Sequence, residues 1–245
     1  MVKKIIKTIL KKLKIFNVIR HFYFLINPFE KEYLFINKIY KNYDEIFDVE
    51  ANRGLYSYLF SLNKKAYIQV FEPNPNLNQD LKQISNINIH NFAVGSSNQN
   101  GSLFIPMEII TSGRSSLIFN VVNRFTKKIF NVSVKIVRLD DYIKKILSIK
   151  TFIKIDVEGY ENYVLKGISD AVLKKLNIDF MIEIEKRHNK NFMFCFEKLH
   201  RFGYEIFIYK NNKLKKIVFN KDLIKEEMIS NNNFLFSKDP NFDLI

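Results

Sequence analysis

Three acidic residues stand where short apolar runs stop. Phe47-Asp48-Val49-Glu50-Ala51-Asn52-Arg53-Gly54 carries the first, and Tyr67-Ile68-Gln69-Val70-Phe71-Glu72-Pro73-Asn74-Pro75 the second. The third follows about a hundred residues after the first, in Phe152-Ile153-Lys154-Ile155-Asp156-Val157-Glu158-Gly159. Each run reads as a strand that ends on a carboxylate, then a turn, then a helical pattern. In an open parallel sheet, ligands bind beyond the carboxyl ends of the strands, so these acids are placed to meet one. Glu72 stands where a carboxylate can accept both hydroxyls of a ribose; as a bare position it also fits a solvated loop acid. Gly54 suits a tight turn into a helix whose first amides face a polar ligand. It is the only glycine of that loop, so G-x-G-x-x-G is missing, and G-x-x-x-x-G-K-[ST] is missing from the whole chain. Dinucleotides and P-loop triphosphates are thereby disfavoured. A nucleoside without a pyrophosphate remains, and S-adenosylmethionine meets that description.

With such a cofactor and a hydroxyl acceptor, methyl transfer would need the acceptor oxygen in line with the departing sulfur, and a base for the hydroxyl proton. Asp156 is the first candidate base, being at a strand end; the alternative is a structural carboxylate capping the next turn. His188, in Lys186-Arg187-His188-Asn189-Lys190, is the second, against a solvated loop histidine. Ser115 and Ser116, after Gly113-Arg114, are placed either to touch an acceptor or simply to turn a hairpin. Asp156 and Glu158 are oxygen donors that suit a hard cation, but nothing in the sequence requires a metal. The four histidines and one cysteine show no zinc spacing.

The elements that hold these residues alternate. Strands are expected at 46–49, 67–71, 87–92, 151–155 and 180–184, with helices at 54–62, 75–84, 161–167, on to 176, and 191–202. Gly203 stops the last of these. Residues 102–106 and 132–139 read as short strands of an insertion, and Asp140-Asp141 as the cap of a helix over 142–147. Residues 204–209 and 233–236 read as two last strands, one of them antiparallel. This alternation predicts an α/β, doubly wound, mostly parallel sheet.

With 245 residues, 47% hydrophobic and rich in Phe and Tyr, the chain can bury a large core. The boundary is set at 1–40 for a helical N-terminal extension and 41–245 for the main domain. One cysteine, Cys195, excludes an internal disulfide framework and fits a reducing compartment, hence a cytoplasmic expectation. Of the net charge of +14, residues 1–20 supply +7, with seven basic residues and no acid. Residues 2–16 have helical periodicity, Val2, Ile5, Ile6, Ile9, Leu10, Leu13 and Phe16 on one face and lysines opposite. Lysines in every turn exclude a signal peptide and a membrane span. The stretch reads as a helix lying on an anionic membrane face, or equally as one packed on its own domain. Nucleic acid is not required, because the charge concentrates in one terminal segment.

The ordered motifs carry a resemblance. Phe47-Asp48-Val49-x-Ala51-Asn52-x-Gly54-x-Tyr56-Ser57, Phe71-Glu72-Pro73-Asn74-Pro75, Asn91-Phe92-Ala93-Val94-Gly95 and Leu139-Asp140-Asp141-Tyr142 come first. Lys154-Ile155-Asp156-Val157-Glu158-Gly159-Tyr160-Glu161, Val164-Leu165-Lys166-Gly167 and Ile182-Glu183-Ile184-Glu185 follow. Over roughly residues 43–205 the chain resembles the FkbM-type family of S-adenosylmethionine-dependent methyltransferases. That resemblance implies a class I, Rossmann-like sheet of seven strands with one antiparallel, and methyl transfer to a hydroxyl of a sugar, glycan or small metabolite. By the motifs, Asp48, Ala51, Asn52 and Gly54, with Tyr56 and Ser57 following, line the methionine end of the cofactor. Glu72 holds the ribose, Asn91 and Ala93 approach the adenine, and Asp156 and Glu158 stand beside sulfonium and acceptor.

One position departs from the pattern: Glu50 occupies the place of a glycine. Its bulk and charge either obstruct the cofactor, leaving an inactive member with a scaffolding or membrane role, or swing aside to pair with Arg53 or the cofactor's ammonium. An RNA methyltransferase is a third reading, suggested by the basic charge alone.

Overall fold

A computed structural model describes residues 16–28, 30–107 and 114–242 of the chain. Eleven strands are formed there: β1 Glu45–Val49, β2 Tyr67–Phe71, β3 Asn88–His90, β4 Ala93–Gly95, β5 Gln99–Pro106, β6 Ile129–Arg138, β7 Lys150–Ile155, β8 Asn177–Glu183, β9 Glu205–Lys210, β10 Lys213–Ile217 and β11 Asn233–Ser237. Eight of them make one sheet in the order β10-β9-β11-β8-β7-β1-β2-β3. The pairs from β3 to β8 are parallel, and β11 runs antiparallel to both β8 and β9. The architecture is therefore α/β with a mostly parallel sheet.

The expected seven strands are eight. The addition is β10, which folds back antiparallel on β9 through a turn at Asn211 and Asn212, both in the left-handed region at φ 53° and 60°. Its sequence, Lys213-Leu214-Lys215-Lys216-Ile217, is too charged to announce a strand, but an edge strand tolerates lysines and is protected by them. A helix at Lys221–Glu227, capped by Asn220 through its side-chain oxygen, then leads to β11. The helix expected over 142–147 is absent, and a single 3-10 turn at Leu139–Asp141 stands before it. Asp140 is spent on Ser169, accepting from its amide and its hydroxyl at 3.2 and 3.0 Å, and so does not cap a following turn. The helix expected over 75–84 shrinks to Asn78–Leu81.

Both sheet faces are buried, as the near-continuous apolar strands require. Phe47, Val49, Ile153, Ile155, Phe180 and Ile182 point to one core, shared with helices Glu161–Lys166, Asp170–Lys175 and Met193–Arg201. Ile46, Ile68, Val70, Phe152 and Met181 point to the other, under helices Glu32–Ile39 and Leu55–Ser61. Tyr33, Ile36 and Ile39 are fully enclosed there, so residues on both sides of position 40 share one core. β4, β5 and β6 form a separate three-stranded sheet that stands beside the carboxyl ends of the main strands.

The amphipathic pattern of 2–16 falls, apart from Phe16, outside the described residues. Helix Phe16–Ile26 follows it and leaves Ile19, Phe22, Tyr23 and Ile26 46–77% exposed. Among the described residues no helix is long and apolar enough to cross a membrane.

Candidate functional site

β1, β2, β7 and β8 deliver their last residues to one edge of the sheet, as parallel strands must. Val49 is level with Phe71 and Ile155 in the register, so Glu50, Glu72 and Asp156 come to the same height. Each turn that follows β1 and β7 uses left-handed backbone: Glu50 at φ 61°, Asn52 at 53° and Glu158 at 44°. Such conformations cost a non-glycine residue about 1 kcal/mol or more and cluster where function requires them. Gly54, at φ 72°, starts the helix Leu55–Ser61, and a Cβ there would lie 2.6 Å from Ile84 Cδ1 and 2.8 Å from Leu81 Cδ2.

These turns enclose a cavity of about 280 Å³ whose wall carries six carboxyl groups: Glu30, Glu50, Glu72, Asp156, Glu158 and Glu183. Arg114, Ser115 and Asn52 complete its polar lining. Glu72 is held by two backbone amides, Asn52 N–H donating to Oε2 at 2.6 Å and Asn74 N–H to Oε1 at 2.7 Å. Burial pushes its carboxyl up to about 8, with those two bonds working in the opposite direction. Each oxygen keeps a lone pair that can accept from a ligand hydroxyl.

Beneath the cavity lies Lys154, 4% exposed in the middle of an apolar strand. Its ammonium stands 3.1 Å from Asp156 Oδ2, 3.9 Å from Asp48 Oδ1 and 5.0 Å from the Tyr56 ring centre. Burial disfavours its charge, but Asp156, Asp48 and Glu30 outweigh burial and raise its ammonium above the ordinary range. For Asp156 burial again opposes ionisation; Lys154 and a hydrogen bond from Glu183 prevail and hold it below the ordinary carboxylate range. Glu183 takes the other side of that bond. The charge on Asp156, then burial, raise it to about 11, so Glu183 is protonated and donates. Glu50 is pushed well up by burial and by Glu72, Asp156 and Glu158 around it, and its Oε2 is buried with no hydrogen-bond partner.

The expected cofactor residues divide. Asn52, Glu72 and Glu158 line the cavity, with Asp156 among them. Asp48 lies beneath, fully buried, accepting from Ser57 Oγ at 2.6 Å. Tyr56 donates its hydroxyl to Glu30 at 2.8 Å. Ala51 is buried and Gly54 shapes the turn, and neither lines the cavity. Ala93 lines an adjoining apolar slot with Val49, Phe71, Phe92, Leu117 and Tyr160, of only about 10 Å³. Glu50 belongs to the wall of both spaces. Asn91 is exposed and lines neither.

His188, the second candidate base, packs beside Glu158, Nδ1 at 2.9 Å from Glu158 Oε2 and 3.4 Å from Glu185 Oε2. Gly159, at φ 96°, permits this: a Cβ there would stand 2.9 Å from the His188 carbonyl oxygen. Ser116 Oγ donates to the Glu158 carbonyl at 2.9 Å, fixing the insertion to the site, while Ser115 accepts from Asn74 Nδ2 at 3.2 Å. Gly113 lies outside the described residues. Among the described residues, no group of three or more His, Cys, Asp or Glu is arranged to hold a metal.

Sequence reasoning passed over Glu30, Arg114, Lys154 and Glu183 as site residues. Lys154 had a signal, since a lysine between Ile153 and Ile155 in a buried strand must find carboxylates. Glu30 had none: it precedes the first strand by fifteen residues and reaches the cavity only through the packing of helix Glu32–Ile39.

The family model for the methyltransferase FkbM domain matches residues 48–206. No curated protein matches the chain. Among solved structures, methyltransferase FkbM from Methylobacillus flagellatus KT aligns at 15% identity with a TM-score of 0.48, covering 80% of this chain. This chain spans 44% of the length of that one. The precorrin-6y C5,15-methyltransferase of Geobacter metallireducens GS-15 aligns at 12% identity and a TM-score of 0.37, covering 82% of this chain and 85% of its own.

Proposed function

The chain belongs to the FkbM methyltransferase family, and from that premise we propose that it transfers a methyl group from S-adenosylmethionine to a hydroxyl of a sugar, glycan or other small metabolite. The observation that carries this is Glu72, held open by two backbone amides at the rim of a carboxylate-rich cavity. The residues fit the cofactor's chemistry. Glu72 would accept the ribose hydroxyls, and the surrounding acids favour a sulfonium and an ammonium over a neutral or anionic guest. The apolar slot at Ala93 and Phe92 suits a purine once Phe92 and Leu117, both partly buried, move outward. When bound, the cofactor supplies an electrophilic methyl group.

The chain's own residues supply position and proton handling. Asp156, ionised beside Lys154, is a weak base but sits at the mouth with its side chain 30% exposed. It can orient an acceptor hydroxyl and share its proton with the Asp156–Glu183 pair. Glu158 and His188, 2.9 Å apart, form a second route for a proton leaving the cavity. Displacement at a methyl carbon needs mainly alignment and exclusion of water, so modest base strength suffices.

Calorimetric titration with S-adenosylmethionine tests the reading. Micromolar binding is expected, weakened more than tenfold in Glu72→Ala, as for loss of a charge-assisted hydrogen-bond pair. A second reading, a member that no longer binds cofactor, is favoured by one observation: Glu50 stands in the wall between cavity and slot. Binding seen only after Glu50→Gly would establish it. An RNA acceptor is disfavoured by six carboxyl groups around the cavity.

A location at an anionic membrane surface belongs to the same proposal. Ile19, Phe22, Tyr23 and Ile26 recur at helical spacing on one exposed face, directly after the lysine-rich residues 3–14.

A further inference from the structure

A second cavity, of about 560 Å³, lies on the far side of the Glu158–His188 contact. His188 and Gly159 are in its wall and Glu158 is in the wall of the first, so the Glu158–His188 contact stands between the two spaces. Their linings differ in kind. The first carries six carboxyl groups, whereas the second carries Arg124, Lys166 and Lys190 and no carboxylate. Among the described residues the Lys166 ammonium lies over the rings of Tyr163 and Phe194, at 5.3 and 5.2 Å, and is paired with no acid. Arg124 donates one guanidinium nitrogen to the Arg187 carbonyl, which fixes the group, and it pairs with no acid among the described residues.

The rest of the lining is amide and aromatic. Asn162 and Asn189 are tied together, Nδ2 of Asn162 donating to Oδ1 of Asn189 at 3.0 Å, and form a rigid floor. Asn120 and Asn191 have no side-chain hydrogen bond among the described residues and offer both donors and acceptors. Tyr163, stacked on Tyr160 at 4.3 Å, is 41% exposed. His188 brings a side chain only 2% exposed whose Nε2 has no hydrogen-bond partner. Cations without counterions, unpaired amides and an exposed ring together suit a polyhydroxyl compound with one anionic group: charge for the anion, amides for hydroxyls, the ring for a C–H face.

We propose that this cavity binds an anionic sugar, its phosphate or carboxylate held by Arg124, Lys166 and Lys190 and its hydroxyls by Asn120 and Asn191. Resting on the methyltransferase reading, this sugar is the acceptor, anchored in the basic cavity with one hydroxyl reaching past His188 toward Asp156. Acids that can ionise against a cation in the first cavity and basic groups in the second would then sort the two substrates, cation to one and anion to the other.

The test is calorimetric titration of the full chain at low salt with glucose 6-phosphate, glucuronate, inorganic phosphate and neutral glucose. Both anionic sugars, or one of them, should bind, with neutral glucose not detectably bound and inorganic phosphate weaker than the sugar phosphate. Which anion binds tighter separates a phosphorylated from a carboxylated acceptor. Lys166→Gln with Lys190→Gln, at exposed positions that should not disturb folding, should weaken the anionic sugar about tenfold or more. Absence of binding to either anionic sugar, binding unchanged in the double variant, or phosphate binding as tightly as its sugar ester would overturn the proposal. S-adenosylmethionine titrated into the same samples keeps the two readings apart. Cofactor binding without sugar binding sinks only this inference, and sugar binding without cofactor binding sinks the methyltransferase reading and the sugar's role as acceptor while leaving the binding site.

Discussion

Glu50 is the residue on which the chemistry turns. Burial and three neighbouring acids raise its carboxyl well above the ordinary range and make its charge unfavourable. A cationic guest reverses that balance, so filling the cavity should expel protons from Glu50 and Glu72. The expected outcome is a binding enthalpy for S-adenosylmethionine that changes with the ionisation enthalpy of the buffer, and affinity that rises from pH 6 to 8. In Glu50→Gln the proton release should fall and the affinity weaken; a buffer-independent enthalpy in the parent would refute this account. Glu72 also sets a stability trend. Its folded carboxyl is raised to about 8 from an ordinary 4.5, so the folded state holds the proton more tightly than the unfolded chain. The stability this contributes is complete below pH 4.5 and lost as pH rises through 8, at up to about 1.4 kcal/mol per unit of difference. Thermal melts at pH 5 and pH 8 should therefore differ less in Glu72→Gln than in the parent. The sequence made Glu72, Asp156 and Glu158 legible because a carboxylate ending an apolar run is conspicuous. It could not show that Asp48 would be a buried support, or that Glu183 would carry the proton of Asp156, because both depend on which strands become neighbours.

At the scale of elements, the strands read well and the short helices poorly. β2 matches its expected residues 67–71, and β1, β7 and β8 are shifted by no more than three residues at an end. Apolar runs buried on both faces leave few alternatives. The stretch after Asp140 failed because its capping pattern was locally convincing, while the aspartate was already engaged with Ser169 across 29 residues. β10 failed because lysines hid it. Gly54 tests the turn that joins β1 to its helix. Gly54→Ala forces a left-handed residue and drives a methyl group toward Ile84 and Leu81. We expect a loss of about 1–3 kcal/mol, read as a lower urea midpoint with an unchanged slope.

For the molecule as a whole, charge and exposure give a direction. The basic N-terminal residues run into a helix whose exposed apolar stripe has no described neighbour covering it, while the acidic cavity lies at the strand ends. Sedimentation with phosphatidylserine vesicles should carry the protein down, and with phosphatidylcholine vesicles should not. Phe22→Ser with Ile26→Ser should weaken the association several-fold without altering cofactor affinity; equal sedimentation of parent and variant would refute a role for this face. The sequence suggested the basic segment, but not that the apolar stripe of helix Phe16–Ile26 would face outward.

β11 has a consequence for how the protein is made. The sheet is not built outward from its centre: a strand formed by residues 233–237 is inserted between β8 and β9, bonded to both. Until those residues leave the ribosome, β8 and β9 each present a bare edge, Phe180 to Glu183 on one and Glu205 to Phe207 on the other. Such edges recruit any extended chain nearby. The growing chain therefore keeps its sheet divided until β11 closes the gap. A chain interrupted before residue 233 should accumulate as aggregate rather than as a smaller folded protein.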